Sequence, residues 1–103
     1  MILDAATLDI IPGQEAAFEA AFLEAKKLII SAPGYISHEL QRCVELPSRY
    51  ILLVHWQTLE HHTVSFMQSF QYQKWCALLQ HFYDPLPSIF HYAPVGRKTY
   101  RGF

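Results

Sequence analysis

The stretch YILLVHW, residues 50–56, is apolar on both of its alternating faces apart from His55. Its density of aromatic and branched side chains reads as a β-strand. Successive side chains of a strand point to opposite sides, so Trp56 and His55 look in opposite directions. A sheet that leaves one face to water alternates apolar with polar residues. This strand does not, so both of its faces need cover. Helices of the same chain can cover one. The other calls for a second layer, and the same sheet from another copy, related by a two-fold axis, is the simplest source.

The segments on either side follow from this strand. LPSR, residues 46–49, is a short return, so YISHELQRCVE, residues 35–45, is expected to pair antiparallel with the strand after it. On strict alternation Ile36, His38, Leu40, Arg42 and Val44 share one of its faces. SAPG, residues 31–34, ends a helix, because Pro33 cannot continue it and Gly34 permits a turn. Within that helix Phe18, Ala21, Phe22, Ala25, Leu28 and Ile29 recur at the spacing of one buried face. Pro12-Gly13 separates it from a β-like start, MILDAATLDII.

Downstream, Thr58 is placed to cap a helix beginning at Leu59. Ser69 is placed to cap a second one running through Trp75, Leu78 and Leu79, so a break is expected near Ser69. DPLP, residues 84–87, turns the chain into a last strand within SIFHYAPV. The order is β-α-β-β-α-β. With right-handed crossovers this is an α+β, ferredoxin-like arrangement: a four-stranded antiparallel sheet with helices on one face.

The 103 residues suit one domain, read as residues 1–96, followed by a basic tail, 97–103, with Arg97, Lys98 and Arg101 as a solvated end. The chain is 51% hydrophobic and 15% aromatic, more apolar surface than one small core absorbs, which points to a partner subunit or a lined cavity. A net charge of −1 argues against nucleic acid or acidic membranes as partners. No apolar run approaches the roughly 20 residues of a membrane span. The start, with Asp4 and Asp9, does not read as a signal peptide. Cys43 and Cys76 form neither a metal-type pair nor a disulfide framework, and a cytoplasmic location is the simplest expectation. No pair among the six histidines has HxH, HxxH or HxxxH spacing, so no metal site is expected.

The residues that stand out lie after the decisive strand. His62, Phe66 and Ser69 are spaced i, i+4, i+7 and would share one face of an α-helix. If that face meets the sheet, His62 sits in an apolar cleft, where burial favours its neutral, proton-accepting form. His61 points about 100° away and is expected in solvent. Trp75 shares a helical stripe with Tyr72 and Leu79 and reads as core. On the last strand His91 and Tyr92 face opposite ways, so one of them reaches the cleft.

Several pieces together carry a resemblance: Pro33-Gly34, the strand ending in Trp56, the run His62-x-x-x-Phe66-x-x-Ser69 followed by Trp75, and His91-Tyr92. From about Ile2 to Val95 the chain resembles the antibiotic biosynthesis monooxygenase family, in a bacterial subgroup. The resemblance implies a homodimer forming a dimeric α/β barrel, and a cofactor-independent monooxygenase with no cofactor or metal. Its partners would be dioxygen and a small aromatic molecule of the polyketide-like or quinol kind. His62 and His91 are then the catalytic candidates. Trp56, Phe66, Ser69, Tyr72, Trp75 and Tyr92 are the substrate-binding ones. Two other readings stand beside this. One is a non-catalytic binding or stress-related module whose cleft is plugged by Trp75 and Phe70. The other is haem binding, with His62, His81 or His91 on the iron. Against haem degradation, the first strand has no Asn, and Phe66 and Cys76 stand where that branch of the family has Trp and His.

Overall fold

Tyr50, Leu52, Val54 and Trp56 are at most 5% exposed, whereas Ile51 between them is 37% exposed. One side of this strand is sealed and the other is open. The computed structural model, which describes residues 1–99, shows why. The strands are β1 (Ile2–Asp9), β2 (Tyr35–Arg42), β3 (Arg49–Trp56) and β4 (Ser88–Tyr92). They form one antiparallel sheet in the order β2-β3-β1-β4. Helix α1 (Glu15–Ile30), a π-helical turn (His61–Phe66), helix α2 (Phe70–Leu79) and a short 3-10 turn (Gln80–Phe82) supply the helical layer. This is the ferredoxin-like α+β arrangement, with the helices packed on one face.

Side-chain period and helix period agree on where the core lies. On β1, Ala6 and Leu8 are buried, as is Ile10 just beyond it. On α1 the buried stripe is Phe18, Phe22, Ala25 and Ile29. Phe18 packs on Tyr50 with ring centroids 5.0 Å apart, and Phe22 meets Trp75 at 6.0 Å, tying α1 to both β3 and α2. Each such fully buried large side chain contributes about 1.5–3 kcal/mol of transfer free energy.

Three local expectations are corrected. First, β2 does not alternate strictly. Tyr35 pairs with Trp56 and Ser37 with His55, leaving Ile36 as the extra residue of a bulge. The Tyr35 hydroxyl therefore reaches His38 Nδ1 at 2.6 Å, and Ile36 is 44% exposed instead of sharing the His38 face. Val44 lies beyond the strand and is 87% exposed. Second, His61 is not out in solvent. It is half-buried, its ring packs on Gly34, and its Nδ1 lies 2.8 Å from Thr58 Oγ1. Gly34 has φ of +80°, and a side chain there would run into the imidazole, so glycine is required twice over. Third, residues 61–66 wind as a π turn. The Met67 amide donates to His62 O at 3.0 Å, an i to i+5 bond.

That winding changes what shares a face. His62 and Phe66 both point inward and are buried. Ser69 does not follow them at i+7, because its backbone is extended, with φ −90° and ψ 161°. Instead it caps α2: its hydroxyl accepts from the Tyr72 amide at 3.1 Å and donates to Phe66 O at 2.6 Å. The expected break near Ser69 is present, and it is this cap.

Candidate functional site

The helical layer does not fill the space above the sheet completely. A cavity of about 250 Å³ lies between the buried face of β1 and β3 and the inner faces of the π turn and α2. Its walls are mainly apolar: Leu8, Ile29, Leu52, Phe66, Trp75, Leu79 and Ile89 among them. Tyr72, Cys76 and Tyr83 add weakly polar groups. Gln80 adds an amide, and Asp4 and His62 make an end with two ionisable groups.

That end is built from four elements. Asp4 lies on the buried phase of β1, in the same cross-strand row as Val54 on β3 and His91 on β4. Asp4 is 5% exposed and His62 5% exposed. Trp56, fully buried, lies flat against His62, with ring centroids 5.4 Å apart and planes 13° from parallel. The Trp56 Nε1–H donates to Asp4 Oδ2 at 3.4 Å. His62 Nε2 lies 3.3 Å from the same oxygen, and His62 Nδ1 lies 2.8 Å from Nε2 of the exposed His91. Asp4 Oδ1 has no hydrogen-bond partner, alone among buried side-chain polar atoms of the described residues.

Burial dominates the electrostatics here. It pushes the Asp4 carboxyl up to about 6, partly opposed by the Trp56 hydrogen bond. It pulls His62 down to about 4, with the nearby charge of His91 adding to the effect. Near neutral pH the pair is therefore carboxylate and neutral imidazole. The fitting tautomer has His62 Nε2–H donating to Asp4 and His62 Nδ1 accepting from His91 Nε2–H. The phenols of Tyr72 and Tyr83 are raised, chiefly by burial, and stay protonated.

Asp4, His62 and His91 are also a donor set of the type that holds a transition metal, with ligand-type atoms all within 4.8 Å of one another. The two ring nitrogens of His62, however, face different partners. In this structure the three groups are joined as a hydrogen-bonded chain.

The structure thus brings His62, Phe66, Tyr72 and Trp75 to one cavity. Trp56 stands behind His62 and supports its ring. His91 joins through His62 and is not a wall of the cavity. Ser69 is held by backbone groups. Tyr92 pairs across from Leu3 on the other side of the sheet, where it borders a shallow hollow of about 370 Å³ with Met1, His55 and the segment 93–98. Alternation along β4 sends His91 to the helix side and Tyr92 to the open side. Phe70 is 64% exposed and plugs nothing, and His81 is on the outside beside Phe82. Of the tail, Arg97 and Lys98 border the open-face hollow, and Arg101 lies outside the described residues. No helix among the described residues is long and apolar enough to cross a membrane.

Reasoning on the sequence missed Asp4, and a signal for it existed. In ILDAATLDI, Asp4 shares its phase with Ala6, Leu8 and Ile10, so it is an acid on the face that must be buried. Tyr83 and Cys76 were missed too, since nothing local marks a wall residue.

Comparison with known proteins agrees with this architecture. The family model described as antibiotic biosynthesis monooxygenase matches residues 1–78. The uncharacterised protein YczJ of Bacillus subtilis (strain 168) is 46% identical over 95 residues, covering 92% of this chain and all of its own. A crystal structure from Bordetella bronchiseptica, named for the same family, superposes with a TM-score of 0.88 at 36% identity, over 91% of this chain and 96% of its own. A variant of SnoaB, a cofactor-independent oxygenase from Streptomyces nogalater, shares the fold with a TM-score of 0.79 at 15% identity, over 97% of this chain and 96% of its own.

Proposed function

The chain belongs to the antibiotic biosynthesis monooxygenase family, and from that premise we propose that it is a cofactor-independent monooxygenase of small electron-rich aromatics. The observation that carries this reading is the cavity: aromatic walls around a single buried acid–imidazole end. At about 250 Å³ it falls just below the roughly 300–1,000 Å³ of drug-sized ligand pockets, which favours a one- or two-ring phenol, naphthol or quinol over a large polycycle.

The chemistry asks little of the protein. A base at the polar end takes the hydroxyl proton of a naphthol. The anion gives one electron to dioxygen, and the aryloxyl radical and superoxide combine at a ring carbon to make a peroxide anion. The peroxide takes the proton back and loses water, leaving a quinone. One oxygen atom enters the product and the other leaves as water, so the ring supplies all four electrons. The Asp4–His62–His91 chain would hold and return the proton, while Phe66, Tyr72 and Trp75 would orient the ring and keep water out. The likeness in fold to SnoaB, a cofactor-independent oxygenase, supports this reading.

The same proposal includes a homodimer. Leu3, Ala5, Ile51, Leu53, Phe90 and Tyr92 give the open face of the sheet an apolar centre, with Phe90 64% and Tyr92 54% exposed. A second copy of this face is its natural cover.

The test is dioxygen uptake against a panel of naphthols, quinols and anthrones, with His62→Gln and Phe66→Ala in parallel. Uptake with quinone formation, reduced at least tenfold in both variants, is the expected result. No uptake with any member would leave a binding module as the better description.

A further inference from the structure

Two imidazoles meet end to end at the outer edge of the polar chain. We infer that His62 Nδ1 and His91 Nε2 are the protein ligands of a site for a late first-row divalent cation of the Zn2+ kind, with Asp4 as the carboxylate that orients His62 from behind. The inference goes beyond the monooxygenase reading and does not depend on it, because the ion is a separate ligand and not a cofactor of that reaction.

The donors suit such an ion. Asp4, His62 and His91 each offer one ligand-type atom, and these atoms lie within 4.8 Å of one another. Imidazole nitrogen suits Zn2+, Ni2+ and Cu2+, whereas Mg2+ and Ca2+ take oxygen. His62 Nδ1 and His91 Nε2 are 2.8 Å apart, with ring centroids at 5.0 Å and planes 54° apart. Two nitrogens on a tetrahedral ion with bonds of about 2.0–2.1 Å are separated by about 3.3 Å. The pair reaches that spacing by opening about 0.5 Å as the His91 ring swings off the line of the bond. His91 is exposed near the end of β4, so it has room to swing, and its exposure is the entry path.

His62 is held still. Its ring lies on Trp56, 13° from parallel, and its Nε2 is 3.3 Å from Asp4 Oδ2. With Nε2–H donated to that oxygen, Nδ1 carries the lone pair and points at His91. Carboxylate, imidazole and ion in that order fix the tautomer of a ligating histidine and raise its basicity. The Trp56 Nε1–H steadies the same carboxylate oxygen at 3.4 Å. Asp4 is 5% exposed, and its ion-pair partner among the described residues is His62. A cation one ring away therefore offsets a buried negative charge. On binding, the ion takes the place of the proton between the rings, and His91 carries its N–H on Nδ1 instead. Water fills the remaining positions. No local spacing marks the pair, because the two histidines are 29 positions apart and meet only when the π turn packs beside β4.

Zn2+ titrated by calorimetry into chelator-treated wild type, His91→Ala, Asp4→Asn and His81→Ala tests this, with each fold checked by circular dichroism and Mg2+ as the second probe. Wild type should bind one Zn2+ per chain and no Mg2+. His91→Ala should lose at least tenfold in affinity, and Asp4→Asn about 10–100-fold. His81→Ala should bind as wild type does, since that exposed ring lies beside Phe82 and is no part of the cluster. No Zn2+ binding, equal binding of Mg2+, or an affinity unchanged in His91→Ala or in Asp4→Asn overturns the inference. Nitrogen-15 spectra of the wild-type imidazoles give a second reading that no variant's folding can disturb. Zn2+ should shift His62 Nδ1 and His91 Nε2 and leave His62 Nε2 protonated, and shifts confined to other histidines overturn the assignment. Neither measurement uses a substrate, so both stand whatever the dioxygen-uptake panel returns.

Discussion

The two sides of β3 are made of nearly the same kind of side chain and end in opposite states. Tyr50, Leu52, Val54 and Trp56 are sealed under α1, α2 and the π turn, whereas Ile51, Leu53 and His55 have no helix over them. Apolar character alone therefore does not say what a face becomes. On the covered side the cover fits imperfectly and leaves a cavity with an acid in its wall. The open side keeps apolar side chains in solvent, with only the segment 93–98 of the described chain along one border of it. The comparison also separates His62 from His55. Both lie at or just after the end of the same strand, but one is buried in a chain of three polar groups, and the other pairs with Ser37 Oγ at 3.2 Å.

The sharpest way to break this contrast is at its most buried point. Trp56→Ala removes the surface on which His62 lies and a donor to Asp4, and should cost about 3–5 kcal/mol in urea or thermal unfolding. A loss below about 1 kcal/mol would mean that the covered side is not the core.

The matching change on the open side is Leu53→Asp. It should leave the circular dichroism of the subunit intact while weakening self-association by about 100-fold or more, the equivalent of about 2.7 kcal/mol. Sedimentation equilibrium reads this directly. An unchanged mass would show that a different surface joins the copies, or that the subunit acts alone.

The smallest effect probes the polar end. Asp4 is raised from 3.8 to about 6, so the stability it adds is complete below pH 3.8 and is lost as pH rises through about 6. His62 is depressed from 6.5 to about 4, so its unfolded form binds more protons, and stability grows as pH rises from about 4 to 6.5. Between about pH 4 and 6 the folded pair and the unfolded pair each hold one proton, and the two slopes cancel. Asp4→Asn should therefore expose a slope on the order of +1.4 kcal/mol per pH unit relative to wild type in that window, and His62→Gln one of opposite sign. Parallel stability curves for the three proteins would show that the pair does not share a proton.

Much of the fold was legible because it rests on periodicity. The strand and helix order follows from Pro12-Gly13, Pro33-Gly34 and the stripe at Phe18, Phe22, Ala25 and Ile29, each a local signal. Phe66, Tyr72 and Trp75 could be read as facing the sheet for the same reason. The bulge at Ile36 and the π winding of residues 61–66 could not, since each is a one-residue departure that propensity does not encode. Asp4 and His91 escaped as a pair because they lie 87 positions apart and meet only when β1 and β4 pair in register.

The sequence by itself determined the order of elements, the apolar character of both faces of β3 and the aromatic character of the cleft, because those depend on composition and spacing along the chain. Only the tertiary structure decided which oxygen and which nitrogens face one another. Such contacts are set by strand register, by one π turn and by a tryptophan ring that holds His62 flat, and none of these has a signature in neighbouring residues.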